Sequence, residues 1–524
     1  MKFRGGSVVA NAPKVYDFPV EKVEDQLVGF LKRRRGESTV ADMIAGTGLP
    51  KYQVEQAAKM VLDEYAGRLK VTESGELLYY FPSGMRSTVR GPGPLLRKLW
   101  RSFLRGTARV LTLLFKIWIV AMLIGYFVAF VGIAVVAVVA SVAASAAGGG
   151  RDGRDSRSRG SGDGMGGFLA IQVIDLILRM WFWSAILKDP RSRKPREGRA
   201  FYKSVFGFVF GDDDPNRGWE EEERKRVIAY ITSTRGVITL EELVALTGRE
   251  TAEANTLMNR LLLEYEGEPG VTDDGTLIYS FPALMRTSKG QGAKAVQLGD
   301  GISRVPVPFS ANKRRTNGWI VFFNAFNLLF GTYFLTISLT RGNEIVQAVA
   351  RAAERMAARG GHGLAVVNPV LYSTAVNIAG FVTSNPVPFL LIGLGVIPVV
   401  FSILFFLVPL LRKIRLERQN EKIRVEALRR RVMARILESP SSVNARDLRP
   451  SGTTLDPKNF MQACRRLIEH VAAQLKAEPV ARDGGSFSYR FTELERELAD
   501  LAAYRKKVDL GKYDVGKTVF DSGA

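Results

Sequence analysis

The sequence predicts a mainly α-helical membrane protein in which two transmembrane helical hairpins, about four spans in all, accompany three cytoplasmic winged-helix-like α+β modules. Residues 71–86 (VTESGELLYYFPSGMR) return as residues 271–286 (VTDDGTLIYSFPALMR), which indicates an internal duplication. Four apolar segments follow the two copies in pairs. The 74 lysines and arginines outnumber the 52 acidic residues, and many of them flank those segments.

The two copies define module 1 (residues 20–86) and module 2 (residues 219–287), and each predicts three helices followed by a β-hairpin. Apolar residues at helical spacing, such as Val23 and Leu27 in the first helix, predict the helices. Alternating apolar residues on both sides of a turn at Gly75 predict the hairpin. Three helices followed by a two-stranded wing is the order of elements in a winged helix.

A third, diverged module is expected over residues 420–495, because this region repeats the order of elements rather than the letters. Its predicted helices are 432–437, 445–448 and 460–472, and its hairpin turns at Gly484-Gly485. Residues 496–524 are predicted to form a C-terminal tail.

The apolar segments are candidate membrane spans, since about 20 residues suffice to cross the hydrocarbon core. Hairpin 1 (residues 110–187) has a loop rich in Gly, Arg, Ser and Asp at 148–167, and hairpin 2 (residues 318–411) has an amphipathic outer loop at 341–387. The predicted spans are 110–147, 168–187, 319–339 and 389–411.

Polar residues inside the predicted spans have a structural and a functional interpretation. Asp175 and Arg179 lie one helical turn apart and can neutralise each other, so we prefer a structural ion pair to an ion or substrate path. Asn324 and Asn327 are expected to form hydrogen bonds between helices. A small transporter or channel built on these four residues is the second alternative function.

Basic residues predict the topology, because they accumulate before the first span and after the second and fourth. Both loops are therefore expected outside, with the two termini and all modules in the cytoplasm and the protein in a bacterial inner membrane. Residues 1–12 lack the apolar core of a signal peptide. The basic flanks are expected to meet anionic lipids.

Two groups of basic residues are candidate interaction sites. The candidates for protein or membrane-surface contacts are Arg86, Arg286, Arg97, Lys98 and Arg101. The candidates for nucleic acid are Lys458, Arg465 and Arg466. The second group lies in or just before the predicted third helix of module 3, the helix that enters the major groove in a DNA-binding winged helix. The third helices of the other modules carry acidic residues that would repel phosphates, so DNA is the less favoured partner.

The sequence contains no catalytic or cofactor-binding pattern, and we expect neither an enzyme nor a cofactor. The single cysteine, Cys464, excludes an internal disulfide and a cysteine-only metal site. Asp212 and Asp214 are weak candidates for a hard cation. A turn leading into the helix that begins at Trp219 is the preferred interpretation of these aspartates, so no metal is expected.

Residues 206–287 resemble a family of multi-spanning membrane proteins found in cyanobacteria and plant plastids. The resemblance rests on FGFVFGDDDPN, EEEERKRVIAYI, ITLEELVAL and YEGEPGVTDDGTLIYSFPALMRT, and it is looser over the flanking hairpins. The family has glycine where Asp213 stands here. Because the family is essentially uncharacterised, the resemblance implies a membrane protein and no particular chemistry.

These observations favour a non-enzymatic membrane scaffold or assembly factor that presents its modules to cytoplasmic protein partners of unknown identity. A membrane-tethered DNA-binding regulator is the first alternative. A homo-oligomer is compatible with the sequence.

Overall fold

The computed structural model divides the chain into two compact units. The module unit comprises Met1–Lys98, Asp214–Val307 and Arg418–Ala524, and the apolar unit comprises Leu99–Asp213 and Pro308–Glu417. The residues described are 18–34, 36–82, 85, 92–147, 199–288, 296–298, 304–358, 377, 380, 384, 387–448, 457–482 and 486–522. The chain is mainly helical, which confirms that part of the predicted fold class.

The helices, in chain order, are α1 (Val20–Arg34), α2 (Val40–Thr47), α3 (Lys51–Glu64), α4 (Pro92–Ala147), α5 (Phe201–Phe210), α6 (Trp219–Ser233), α7 (Leu240–Thr247), α8 (Thr251–Tyr265), α9 (Arg314–Ala358), α10 (Ile397–Glu438), α11 (Pro457–Gln474) and α12 (Thr492–Lys507). The strands are β1 (Arg68–Thr72), β2 (Leu77–Tyr80), β3 (Val237–Ile238), β4 (Glu268–Val271), β5 (Leu277–Ser280), β6 (Glu478–Arg482), β7 (Ser486–Arg490) and β8 (Thr518–Asp521). Short 3₁₀ turns cover Pro282–Leu284, Ala445–Asp447 and Leu510–Tyr513, and a π-helical segment covers Val387–Val396.

Modules 1 and 2 have the same order of elements and the same helix signals. In module 1, the Thr39 side chain accepts a hydrogen bond from the Asp42 amide, and the Asp42 carboxylate accepts one from the Thr39 amide. Thr239 and Glu242 repeat this capping box at the start of α7. Such a pair satisfies two amides that the first turn of a helix leaves without partners.

Module 3 has no separate first helix. We predicted one over residues 432–437, but these residues form the end of α10, which runs without interruption from Ile397 to Glu438. Pro409 lies inside α10 and does not end it. Asn444 and Asp447 then form a third capping box, and α11, β6 and β7 follow.

All three modules leave their third helix in the same backbone conformation. Ala66, Glu266 and Lys476 have φ angles of 47°, 52° and 50°. Residues other than glycine rarely adopt this left-handed region. Its recurrence indicates that module 3 follows the same backbone path here as the two copies with similar sequences.

An antiparallel hairpin follows each third helix: β1 pairs with β2, β4 with β5, and β6 with β7. The strand order is β2-β1-β8 in module 1 and β3-β5-β4 in module 2, while β6 and β7 form a two-stranded sheet. Strand β8 belongs to the region predicted as a tail. Residues 496–524 instead contain the rest of α12, a 3₁₀ turn and a strand that pairs with module 1.

Modules 1 and 2 share one hydrophobic core. Leu27 and Ile44 from module 1 and Ile228 and Met258 from module 2 are fully buried in it. Burying an aliphatic side chain of this size contributes about 1.5–3 kcal/mol. A second core joins residues of α7 and α8 to α10, α11 and α12, so the modules are packed into one body.

Among the described residues, three helices are long and apolar enough to cross a membrane. These stretches are Gly106–Ala134, Arg314–Ala348 and Pro388–Glu438. The predicted span at 168–187 lies outside the described residues. Helix α9 has a kink at Arg341, with φ −137° and ψ 25°, and the predicted amphipathic segment lies beyond that kink.

Candidate interaction surface

Module 2 contacts module 1 where α2 ends. Gly48 has a φ of 71°, and a Cβ at this position would lie 3.2 Å from Lys225 Cγ and 3.3 Å from the carbonyl oxygen of Glu221. The buried Tyr265 hydroxyl donates a hydrogen bond to the Gly48 carbonyl at 3.1 Å. Glycine therefore allows α6 to approach the end of α2 closely.

The same contact joins module 2 to module 3. A Cβ on Gly248 would lie 2.0 Å from the carbonyl oxygen of Glu426 in α10. Arg429 donates to the Gly248 carbonyl at 3.1 Å, and Arg430 donates to the Thr247 carbonyl at 3.3 Å. Cationic groups are favourable at these carbonyls because a helix C-terminus carries partial negative charge. The three modules thus form a stack in which one type of junction occurs twice.

Helix α1 carries acidic residues at the positions that form these junctions in α6. Glu21, Glu24 and Asp25 stand where α6 has Glu221, Arg224 and Lys225. Desolvation, together with the nearby Glu64 carboxylate, raises the pKa of Glu24 from 4.5 to about 7. The first helix of the stack therefore carries carboxyl groups where α6 carries the cationic Arg224 and Lys225.

Each hairpin exposes an apolar residue at the same position, two residues before the tyrosine of its second strand (Tyr79, Tyr279 or Tyr489). Leu77, Leu277 and Phe487, which we call the hairpin tips, are 39%, 50% and 51% exposed. Val271, opposite Leu277 in the hairpin of module 2, is 65% exposed. Apolar alternation along the strand does not distinguish Leu77 from the buried Tyr79 two residues later, but Leu77 lies beyond the end of the core. The tips were missed for this reason, although their proximity to the turn glycine could have marked them.

The C-terminal region crosses the hairpin of module 2 before it reaches module 1. Arg505 of α12 forms two hydrogen bonds with the buried Glu242, at 2.9 and 2.7 Å, and a third with the Val237 carbonyl at 2.7 Å. The Thr272 hydroxyl donates to the Asp500 carboxylate. Strand β8 then pairs with β1. These contacts form a C-terminal strap, residues 492–522, across the modules.

The predicted surface residues have different positions in the structure. Arg286 forms an ion pair with Glu76 at 2.5 Å, so it joins module 2 to the hairpin of module 1. Arg86 lies outside the described residues. Arg97, Lys98 and Arg101 lie in α4. Arg286 was proposed as an interaction residue, but its guanidinium is engaged within the stack.

The predicted nucleic-acid residues share one helix. Lys458, Arg465 and Arg466 all lie in α11, the third helix of module 3, and Arg465 and Arg466 are exposed. Arg465 donates to Glu469 at 3.0 Å, which partly neutralises this face. Cys464 on the same helix is fully buried, and burial raises the pKa of its thiol to about 11. A thiol with this pKa is a poor nucleophile at neutral pH.

The two predicted intramembrane asparagines form hydrogen bonds between helices, as expected. Asn324 Nδ2 donates to the Ser402 carbonyl at 3.0 Å, and Asn327 Nδ2 donates to the Leu123 carbonyl at 2.7 Å. All four residues are in the apolar unit. The other predicted polar pair, residues 175 and 179, lies outside the described part of the chain.

The aspartates considered for a metal serve local contacts. Asp212 forms an ion pair with Arg199 and accepts a hydrogen bond from the Ala311 amide at 2.5 Å, and Arg199 lowers its pKa. Asp214 accepts a hydrogen bond from the Asn216 amide at 2.9 Å, which is an Asx turn. Within the described ranges, no group of three or more His, Cys, Asp and Glu residues could hold a metal ion.

Comparison with known proteins gives one informative result. No family model matches the chain, and no solved structure matches it. The chain is 27% identical over 418 residues to an uncharacterised chloroplastic protein of Arabidopsis thaliana, a match that covers 78% of this chain and 72% of the plant protein. Over most of its length, this chain is therefore similar to a plant chloroplast protein.

Proposed function

We propose that this chain is a non-enzymatic integral membrane scaffold or assembly factor, and that its three modules are winged helices that hold protein partners at a membrane. The observation that carries this proposal is the exposed apolar residue at each hairpin tip. Exposed apolar side chains at equivalent positions favour contact with another protein surface. A wing that contacts DNA needs basic residues to meet the phosphates.

The contacts of α8 also favour a protein partner over DNA. Glu253 in this third helix forms an ion pair with Lys422 of α10 at 2.8 Å, and Glu266 just after the helix forms one with Lys51 of module 1. Both carboxylates face neighbouring modules. The helix that would read DNA is thus used to build the stack.

The three apolar helices supply the membrane anchor in this proposal. The chloroplast location of the Arabidopsis relative makes a plastid membrane the alternative to the bacterial inner membrane expected from the sequence. In either membrane we place the modules on the side where the basic flanks lie.

Photocrosslinking from the hairpin tips tests the proposal. A photoreactive amino acid at residue 277 or 487 of the full-length protein should capture the same defined proteins in intact cells, with DNA at background. Leu277→Glu and Phe487→Glu should reduce co-purification of those proteins at least about tenfold, because a carboxylate desolvated in an apolar contact is costly.

Leu263→Glu is the matched control, because Leu263 is 83% exposed but lies in α8 rather than at a tip. This variant should leave co-purification unchanged. Equal losses from Leu263→Glu and Leu277→Glu, or crosslinks to lipid alone, would contradict a protein-binding role for the tips.

A DNA-binding regulator is the second candidate, and the exposed Arg465 and Arg466 on α11 favour it. Reversing both charges to glutamate should abolish retention of DNA by the purified protein if this function is correct. Unchanged retention would count against it.

A further inference from the structure

The edge of β1 is occupied by the last strand of the chain. The Ser522 amide donates to the Leu69 carbonyl at 2.9 Å, and the Leu69 amide donates to the Ser522 hydroxyl at 2.9 Å. Lys70 lies opposite Asp521, with its ammonium nitrogen 3.3 Å from the carboxylate. The Leu69 amide therefore points away from β2 and toward the added strand.

The other two hairpins cannot offer the same amide. Leu69 pairs with Tyr79 in module 1, and at the equivalent positions Pro269 pairs with Tyr279 and Pro479 with Tyr489. Proline has no amide hydrogen, so it prevents another strand from adding at that edge. Of the three hairpins, only that of module 1 can donate a backbone hydrogen bond at this position.

Few side-chain contacts hold β8 in place. Val519 and Phe520 are 69% and 59% exposed, so they bury little apolar surface. The ion pair between Lys70 and Asp521 is partly exposed and shared with Glu37. The pairing also contains an irregularity between Val71 and Thr72. Backbone hydrogen bonds therefore supply most of the attachment, and another strand can make the same bonds.

We propose that the outer edge of β1 is a strand-addition site for an extended segment of a partner protein, and that β8 is its resident occupant. The segment that fits places an acidic residue opposite Lys70 and a hydroxyl or carbonyl oxygen opposite the Leu69 amide. Main-chain hydrogen bonds provide affinity and these two contacts provide selectivity. The inference rests on the proposed scaffold function, and it specifies that the partner binds module 1 as an extended strand.

A peptide of residues 514–524 is the probe, and its binding to full-length protein in detergent is measured by fluorescence anisotropy. Phe520→Pro removes the amide of the β8 residue that pairs with Val71 and should release β8 from the edge. The released variant should bind the peptide at least about tenfold more tightly than the wild type, because β8 no longer competes for the edge. Equal affinities would overturn the proposal.

Leu69→Pro in the released background is the matched control. It introduces the residue that modules 2 and 3 already have, and it removes an amide that β2 does not use. Peptide binding should fall to background while the variant still unfolds cooperatively, with some loss in Tm because Leu69 packs against the shared core. Peptide binding that survives this substitution would place the peptide elsewhere.

Hydrogen exchange tests the wild-type chain without any substitution. The Ser522 amide should exchange at least about 100-fold faster than the buried Tyr79 amide, which donates to the Ser38 carbonyl. Equal protection would show that β8 does not leave the edge. If the wild-type protein forms a dimer and Leu69→Pro abolishes that dimer, the edge of β1 binds a second copy of the chain instead. If the released Phe520→Pro variant does not bind the peptide while the tip crosslinks are retained, strand addition is refuted and the proposed scaffold function is not.

Discussion

Replacing Gly248 by alanine is predicted to open the junction between modules 2 and 3. Gly248 has a φ of 72°, and the added Cβ would lie 2.0 Å from the carbonyl oxygen of Glu426. Ordinary contact begins at 3.4 Å, and the obstructing atom belongs to the backbone of α10, which cannot rotate away as a side chain can. The helix must therefore withdraw.

Two other glycines separate the steric cost from the cost of the backbone conformation. Gly275 has a φ of 93° with nothing within 4 Å of its Cβ position, so alanine there should cost about 1 kcal/mol. Gly48 is intermediate, with its nearest neighbour at 3.2 Å. At Gly248, overpacking adds about 1–3 kcal/mol, and the lost hydrogen bond from Arg429 adds about 1 kcal/mol. The expected total for Gly248→Ala is about 3–5 kcal/mol.

Thermal unfolding of the three purified variants in one detergent measures this difference. The loss in Tm should be largest for Gly248→Ala and smallest for Gly275→Ala, at about 2–4 °C per kcal/mol. Equal losses for these two variants would refute the inference that close packing at the junction requires glycine.

Three further changes have defined expectations. Because the folded-state pKa of Glu24, about 7, lies above its ordinary value of 4.5, its contribution makes the protein less stable as pH rises between these values. Glu24→Gln should therefore raise the free energy of unfolding at pH 8 by about 1 kcal/mol, after allowance for solvent screening. At pH 4 the substitution should change it little. Unfolding measured at both pH values tests this expectation. Arg505→Met should cost about 3 kcal/mol, because the buried Glu242 carboxylate loses its cationic partner and keeps only the bonds from the Thr239 amide and the Tyr230 hydroxyl. Adding Glu242→Gln should restore part of the Tm; no restoration would contradict a direct pair. Asn327→Leu should cost about 0.6 kcal/mol by removing the hydrogen bond to the Leu123 carbonyl, which corresponds to a small loss in Tm. A loss of several kcal/mol would contradict this expectation.

Local signals were the most informative part of the sequence. The three helices and hairpin of modules 1 and 2 followed from apolar spacing and from glycines such as Gly48 and Gly75, because a capping residue or a turn glycine acts within a few positions. The predicted start of module 3 was wrong for a related reason. Nothing local separates residues 432–437 from the apolar helix before them, so α10 continues where we expected a boundary.

Contacts between distant segments could not be predicted from local patterns. The last strand contains four residues, and nothing in its sequence states that it pairs with β1. Arg286 was predicted as an interaction residue, whereas its ion pair with Glu76 depends on how two modules pack. The hairpin tips required the structure because exposure at the end of a strand depends on where the core stops.

The repeated junction also constrains how such a chain can associate with other copies of itself. A head-to-tail contact that does not close can in principle continue from molecule to molecule and form a filament. A helix C-terminus arriving at α1 would place its carbonyl oxygens against Glu24 and Asp25, where α6 has Arg224 and Lys225. We therefore expect the carboxyl groups of α1 to disfavour a further junction of this type at the first module.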